Sequence, residues 1–237
     1  CCPGLRRGPM DPDDSTPVDS AAGGVQTLLL MAVAVYLGLY ILYYKKLLPK
    51  ACWLPLSKFY FYPMLIPSYI WRLLVVRGTY FSDVDDKVLL GAVPLVFAGH
   101  VQELHKRGVR ATINMMAEYE GPLKAYAAMN PPITQLHLPV TDHIEPTAEQ
   151  LQEAVNFIAE RTKLGQKVLI HCKGGHGRAA AVAFAYLMSP TGGSKNPDQA
   201  QAHLNAIRKV RAKLYLQDNL TKFYHNMKKR RGTREMM

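Results

Sequence analysis

Cysteine is scarce in this chain: four residues in 237, with Cys1 and Cys2 ahead of Met10, where we place the start of the protein. The sequence does not itself begin with Met, so the residues before Met10 are read as the edge of a fragment or an upstream extension. That leaves Cys52 and Cys172; no disulfide scaffold is indicated, and a reducing compartment suits them. A second Cys or His pair at finger spacing is also missing, so a zinc site on His171, Cys172 and His176 lacks its other half. No metal and no cofactor is expected. Acidic residues are outnumbered, 18 against 29 Lys and Arg, for a net charge of +11. Such an excess suits work beside anionic lipid or on a phosphorylated substrate. Nucleic acid is the rival partner, since Lys228-Lys229-Arg230-Arg231 fits RNA or a solvated end equally. No RNA-binding motif accompanies that run, and no nucleic-acid partner is expected.

Charge is absent altogether from Ala21 to Tyr44. The core of this stretch, residues 25–44, makes a helix of about 30 Å, the thickness of a bilayer core. A signal peptide would have a shorter apolar region and a small-residue cleavage site, and a buried core helix would not be apolar all round. One transmembrane helix is therefore expected. Asp11, Asp13, Asp14 and Asp19 precede it, whereas Lys45, Lys46, Lys50 and Lys58 follow. This asymmetry keeps the rest of the chain on the cytosolic, matrix or stromal side. Residues 1–24 read as a polar, disordered segment. Residues 45–80 read as an aromatic and basic juxtamembrane segment, in which Phe59 to Trp71 is broken by Pro63 and Pro67. With Lys58, Arg72 and Arg77 it suits a membrane interface, or else a packing arm against the following domain.

The run Val168-Leu169-Ile170-His171-Cys172-Lys173-Gly174-Gly175-His176-Gly177-Arg178 carries the most chemistry. An apolar strand ends in a cysteine, a glycine-rich loop follows, and Arg178 opens a helix that runs to Met188. Glycines let backbone N–H groups turn inward around an anion, and the helix points its positive end at the same place. Arg178 offers a planar fork for two phosphate oxygens. The same field favours the thiolate of Cys172, the attacking species. A structural cysteine beside an ordinary glycine turn is the plainer alternative, against which the strand before, the glycines within and the helix after all speak.

Around this loop, alternating elements are expected. They are a strand at Val88–Leu90, a helix at Val96–Lys106, strands at Ala111–Met115 and Leu136–Val140, a helix at Thr147–Lys163 and a strand at Val168–His171. Helices at Arg178–Met188, Pro197–Val210 and Gln217–Lys229 follow. Thr147 and Gln150 form a capping box by spacing. In the Pro197 helix, Ala200, His203, Leu204, Ile207 and Val210 make a core stripe. The sum is a compact α/β domain around one mostly parallel central sheet flanked by helices, residues 81–230, with a tail at 231–237 and the site at the carboxyl end of the central strand.

The loop from His171 to Arg178 resembles the signature of the cysteine-dependent dual-specificity phosphatases. Lys87 to Pro94, Ala117-Glu118-Tyr119-Glu120 and Pro139 to Asp142 make the chain similar, more narrowly, to the mitochondrial type phosphatidylglycerophosphate phosphatases and their plant and protist relatives. The resemblance runs from about Phe81 to the C-terminal helix and implies a protein-tyrosine-phosphatase-like domain. It implies that Cys172 is the nucleophile, Arg178 the phosphate ligand, and Lys173, Gly174, Gly175, His176 and Gly177 the phosphate-binding loop. It also implies that Asp142, thirty residues before Cys172, is the general acid on a loop marked by Pro139 and Pro146. Capping of the next helix, or plain solvation, remain alternatives for Asp142, and Glu145 is its neighbour for the role. In the resembled family a loop like Glu118-Tyr119-Glu120 borders the pocket; on composition alone it is a solvated acidic loop. Two positions depart from the pattern: Ala179, where relatives carry Ser or Thr, and His176, where they carry Arg or Ser.

The expectation is a membrane-anchored, metal-independent phosphatase hydrolysing phosphatidylglycerophosphate to phosphatidylglycerol on the way to cardiolipin, with phospholipid at a membrane surface as its partner. A protein or phosphoinositide phosphatase, and an inactive phosphate-binding adaptor suggested by Ala179, stay open. The resemblance implies the mitochondrial inner membrane, with plastid and endoplasmic reticulum membranes as alternatives. The N-terminus lacks an Arg-rich, acid-poor transit pattern.

Overall fold

The computed structural model describes residues 18–71, 74 and 79–235. The polar segment expected at residues 1–24 lies outside them as far as residue 17, as do Arg72 and Arg77. The chain divides into two units, Cys1–Pro49 and Lys50–Met237. In the first, a helix α1 runs over Val18–Tyr44, and its Gly24–Tyr44 portion is long and apolar enough to cross a membrane. Leu28, Leu29, Leu30 and Val35 are exposed along it.

The second unit begins at Lys50 and so takes in the segment ahead of residue 81, where the α/β domain is expected to start. Trp53–Trp71 is one continuous helix, α2, with Pro63 and Pro67 inside it. Each internal proline costs about 3 kcal/mol relative to alanine, which is why a break was expected. Tertiary packing overrides it: Ser57, Tyr60 and Phe61 are buried, Phe61 belongs to the main core, and Leu65 and Tyr69 pack against that core.

A five-stranded sheet follows, ordered β1-β2-β5-β3-β4, from Phe81–Asp83, Val88–Gly91, Lys167–His171, Val109–Met116 and Thr134–Val140 respectively. Four strands are parallel; β1, which the sequence reading did not expect, pairs antiparallel to β2. The central β5 is short and apolar because both its faces are covered, as parallel strands require. Val168 and Ile170 join the main core, while Leu169 points to the opposite face with Phe81, Leu89, Leu104 and Val109. Leu104 comes from α3 (His100–Lys106).

The helices α5 (Ala148–Lys163), α6 (Arg178–Met188), α7 (Pro197–Ile207) and α8 (Asp218–Glu235) pack around one another, with α6 against the sheet. Every residue of α6 is buried, and five alanines in its eleven residues let its neighbours approach closely. A short α4 lies at Leu123–Ala127. The expected capping box at Thr147 and Gln150 is formed.

Three expected boundaries move. The helix placed at Val96–Lys106 is a short 3-10 turn and then α3, separated by Gly99 in the left-handed region. The helix placed at Pro197–Val210 stops at Ile207, because Arg208 is extended at φ −158°. The tail expected from residue 231 is helical to Glu235.

Because α2 belongs to the second unit, truncating its buried face should destabilise that unit. Phe61→Ala is expected to lower stability by about 3–5 kcal/mol in urea unfolding of the detergent-solubilised chain. Ile66→Ser, at an exposed position, is expected to change it by less than about 0.5 kcal/mol.

Candidate active site

The loop from Cys172 to Arg178 connects the carboxyl end of β5 to the start of α6. Its carbonyls are held from outside. Lys173 O accepts from Val93 N at 3.4 Å, and His176 O from Arg211 N at 2.8 Å. Gly174 O accepts from Arg208 Nη2 at 2.9 Å and Gly175 O from Arg208 Nε at 3.2 Å. With four successive carbonyls turned outward, the peptide N–H groups are left for the concave side; Gly175 N donates to Cys172 Sγ at 3.2 Å. Gly175 sits at φ +73°, and a Cβ there would lie 2.5 Å from Gly91 O. Both the left-handed angle and the close approach require glycine.

Arg208 was not among the expected site residues. It is buried, and its Nη1 also donates to Thr79 O, Tyr80 O and Ser82 Oγ at 3.0–3.3 Å. One guanidinium thus ties the loop to the start of β1. Its signal in the sequence was slight: an arginine at the i+8 position of the Ala200–Leu204 row, where a core stripe would place an apolar residue.

Arg178 is buried at the end of the loop, and both of its Nη groups are engaged. Nη1 and Nη2 donate to the two carboxylate oxygens of Glu118 at 2.7 Å each, a bidentate pair. Nη1 also donates to Val140 O at 2.7 Å, and Nη2 lies 3.0 Å from Asp142 Oδ1. Burial alone would lower its pKa, but Glu118, Asp142 and Cys172 together raise it, so it stays charged. For Asp142, burial pushes the carboxyl upward. Arg178, His143 and Lys173 outweigh that and hold it below its ordinary value of 3.8.

Glu118 reaches Arg178 because its loop is fixed at several points. Asn114 accepts from Met116 N and donates to Tyr119 O at 2.8 Å, across a register shift in the β3–β4 pairing. His137 Nε2 meets Met116 O at 2.7 Å, and Gln135 donates to Glu120 O at 2.7 Å. The Tyr119 ring stacks on Phe61 of α2, centroids 5.1 Å apart.

The structure therefore brings together Cys172, Arg178, Asp142, Glu118 and the loop glycines Gly174, Gly175 and Gly177. Glu118 clamps the arginine, Glu120 is exposed, and His176 turns its Nδ1 to Lys209 O. Lys173 is half-buried near Asp142. His171, the residue before Cys172, is fully buried; burial, with His137 and Arg178 acting the same way, lowers its pKa to about 3, so it is neutral. Among the described residues no group of His, Cys, Asp and Glu is arranged to hold a metal ion.

A model of the dual specificity phosphatase catalytic domain matches residues 95–230. The chain belongs to the dual specificity phosphatase family. Within that family it is similar to the phosphatidylglycerophosphate phosphatase PTPMT2 of Arabidopsis thaliana, 32% identical over 151 residues, 62% of this chain and 64% of that protein. It is also similar to the human phosphatidylglycerophosphatase and protein-tyrosine phosphatase 1, 30% identical over 189 residues, 76% of this chain and 91% of that one. The chain thus spans just under two thirds of the plant relative and most of the human one. A crystal structure of PTPMT1 superposes with a TM-score of 0.56 at 29% identity, covering 65% of this chain and 99% of that one. These similarities bear out the expected α/β phosphatase fold.

Two outcomes follow from this geometry. Arg208→Met releases two loop carbonyls, and a misplaced loop should lower kcat/KM on an aryl phosphate about 100-fold while the chain remains folded by circular dichroism. Asp142 is held below its ordinary pKa, so its ion pair stabilises the fold fully above that value and is lost as pH falls through the lowered one. Urea midpoints measured from pH 6 down to 2 should fall less steeply for Asp142→Asn than for the parent chain.

Proposed function

We propose that this protein is a membrane-anchored phosphatase that hydrolyses a phospholipid monoester, phosphatidylglycerophosphate, through a phosphocysteine intermediate. The observation that carries the reading is the loop itself: Cys172 Sγ accepts from Gly175 N inside a loop whose carbonyls are held on its outer side, next to a buried Arg178 that stays charged.

In the proposed reaction the phosphoryl group occupies the loop, and its oxygens take the amide N–H groups and the Arg178 donors. Arrival of this anion displaces Asp142 from Arg178, and negative charge beside the carboxyl raises its pKa, so it binds a proton. The thiolate of Cys172 attacks phosphorus; the P–O bond breaks as the P–S bond forms, and Asp142 passes its proton to the departing alkoxide oxygen. Asp142, now a carboxylate, takes a proton from water, whose oxygen attacks phosphorus and releases inorganic phosphate and the thiolate. Glu118 stays on Arg178 throughout and fixes its plane.

The lipid substrate is supported by the names of the relatives and by the apolar span Gly24–Tyr44, which we read as the anchor. Lys45, Lys46 and Lys50 behind it favour the cytosolic, matrix or stromal side for the catalytic unit, and the names of the relatives make the inner mitochondrial membrane our choice among these. Phosphatidylglycerol, the product, would feed cardiolipin synthesis.

The deciding assay is phosphate release without added metal from phosphatidylglycerophosphate in mixed micelles, from phosphoinositides and from a phosphotyrosine peptide. Phosphatidylglycerophosphate should lead, and Cys172→Ser should abolish release. A lead for another substrate would keep the chemistry and overturn the lipid assignment. Release from none, with phosphate still bound, would favour the adaptor reading. Ala179 lies fully buried in the first turn of α6, where a hydroxyl would hydrogen-bond the departing sulfur. A charge-assisted bond of about 1.5–3 kcal/mol makes Ala179→Ser expected to speed phosphocysteine breakdown about tenfold or more, read by rapid quench.

A further inference from the structure

Helix α2 has a buried face and an exposed one. Ser57, Tyr60 and Phe61 are buried, and Tyr69 packs edge-on against Tyr80, Phe97 and His100. The other face carries Leu54, Phe59, Tyr62, Ile66 and Ile70, each between 37% and 66% exposed. Leu54, Lys58, Tyr62, Ile66 and Ile70 stand at successive i+4 positions, so they form one row along the helix. Val96 and Phe97, 48% and 66% exposed, extend the patch across the Tyr69–Phe97 contact.

Three observations identify what this surface meets. It is apolar and aromatic, with amphipathic tyrosine in the row, the composition of an interfacial helix. Its charge is of one sign: no Asp or Glu occurs between Asp19 and Asp83, while Lys50 and Lys58 are exposed at the row's start. A second copy of the same surface would bring no carboxylate to Lys50 or Lys58, whereas an anionic lipid surface complements them. The patch is also continuous with the candidate site. The Phe61 ring stands between the two: it meets the Tyr62 ring edge-on, centroids 5.0 Å apart, and stacks on the Tyr119 ring at 5.1 Å; burial first, and then the nearby Tyr62, raises the pKa of the Tyr119 phenol. Tyr119 follows Glu118, the clamp on Arg178.

We propose that the exposed face of α2 is a docking surface for an anionic phospholipid bilayer, seated beside the phosphate-binding loop so that a head group enters the site from the membrane it belongs to. This rests on the lipid-phosphatase reading for its purpose, though the surface itself can be tested without activity. Because the buried face of α2 is built into the catalytic core, the docking face is presented rigidly.

The experiment places an environment-sensitive fluorophore on Ile66→Cys in the full chain, with Cys1, Cys2, Cys52 and Cys172 changed to Ser. The chain is reconstituted in nanodiscs of phosphatidylglycerol and phosphatidylcholine. The control site is Leu164→Cys, exposed just past the end of α5 where the chain turns into the start of β5, opposite the loop. A blue shift and quenching by doxyl-labelled lipid at position 66, absent at 164, is the expected result. Quenching at neither site, or equally at both, would overturn the proposal. In the chain with native cysteines, Phe59→Ser with Ile66→Ser should lower turnover of nanodisc-borne phosphatidylglycerophosphate at least fivefold relative to soluble aryl phosphate. An unchanged ratio would overturn docking as a route for the substrate. If the parent chain does not cleave the lipid at all, the lipid-phosphatase reading fails on that arm, while the fluorophore still decides the docking surface.

Discussion

A peptide unit that turns its carbonyl one way must turn its N–H the other, and the candidate site depends on that constraint. Lys173, Gly174, Gly175 and His176 each have their carbonyl held by a donor outside the loop, two of them by the single side chain of Arg208. The inward N–H groups are therefore set before any ligand arrives, and no reorganisation is required of them when charge develops. Gly175 serves the same end, since a side chain there would push the loop off Gly91. The sheet contributes by ending β2 and β5 side by side, Gly91 opposite His171.

Burying an arginine demands compensation, because an unpaired guanidinium in the interior costs several kcal/mol. Glu118 supplies it permanently and Asp142 supplies part of it in the free protein. The two carboxylates are not equivalent. Glu118 is almost wholly buried and bidentate, on a loop pinned by Asn114, His137 and Gln135. Asp142 is more exposed and touches only one Nη. In the proposed mechanism an incoming phosphate replaces the second without disturbing the first, which would separate holding the arginine from moving a proton.

Much of this was legible in the sequence where local rules act alone. The apolar run ending at Cys172, the glycines after it and the Thr147–Gln150 box appear as read, because strand burial, left-handed backbone and capping are decided within a few residues. The elements misread are those set by distant partners. Pro63 and Pro67 argue locally for a break, yet Phe61 and Tyr69 find their neighbours at Tyr119 and Tyr80, far along the chain, and the helix continues. Arg208 looked like one more residue of α7; its five acceptors lie between residues 79 and 175, and no spacing rule joins them. The short β1 was missed for the same reason, since three residues carry too little periodicity. Glu118 was singled out only through family resemblance, and its role as a clamp emerges once β3 and β5 are seen as neighbours.

The segment carrying Asp142 is anchored at both ends. At one end Val140 O accepts from Arg178 and Pro139 O from Gln150; at the other the Thr147 capping box fixes the start of α5. Only residues 141–146 lie between these posts. The consequence is one of tempo. A stretch this short rearranges as a surface loop does, in nanoseconds to microseconds, without lifting α5 or unpairing β4. Typical enzymes turn over about 1–10³ times per second, so in the proposed mechanism the passage of this carboxylate from arginine to substrate would run far ahead of the chemistry and set no limit on it.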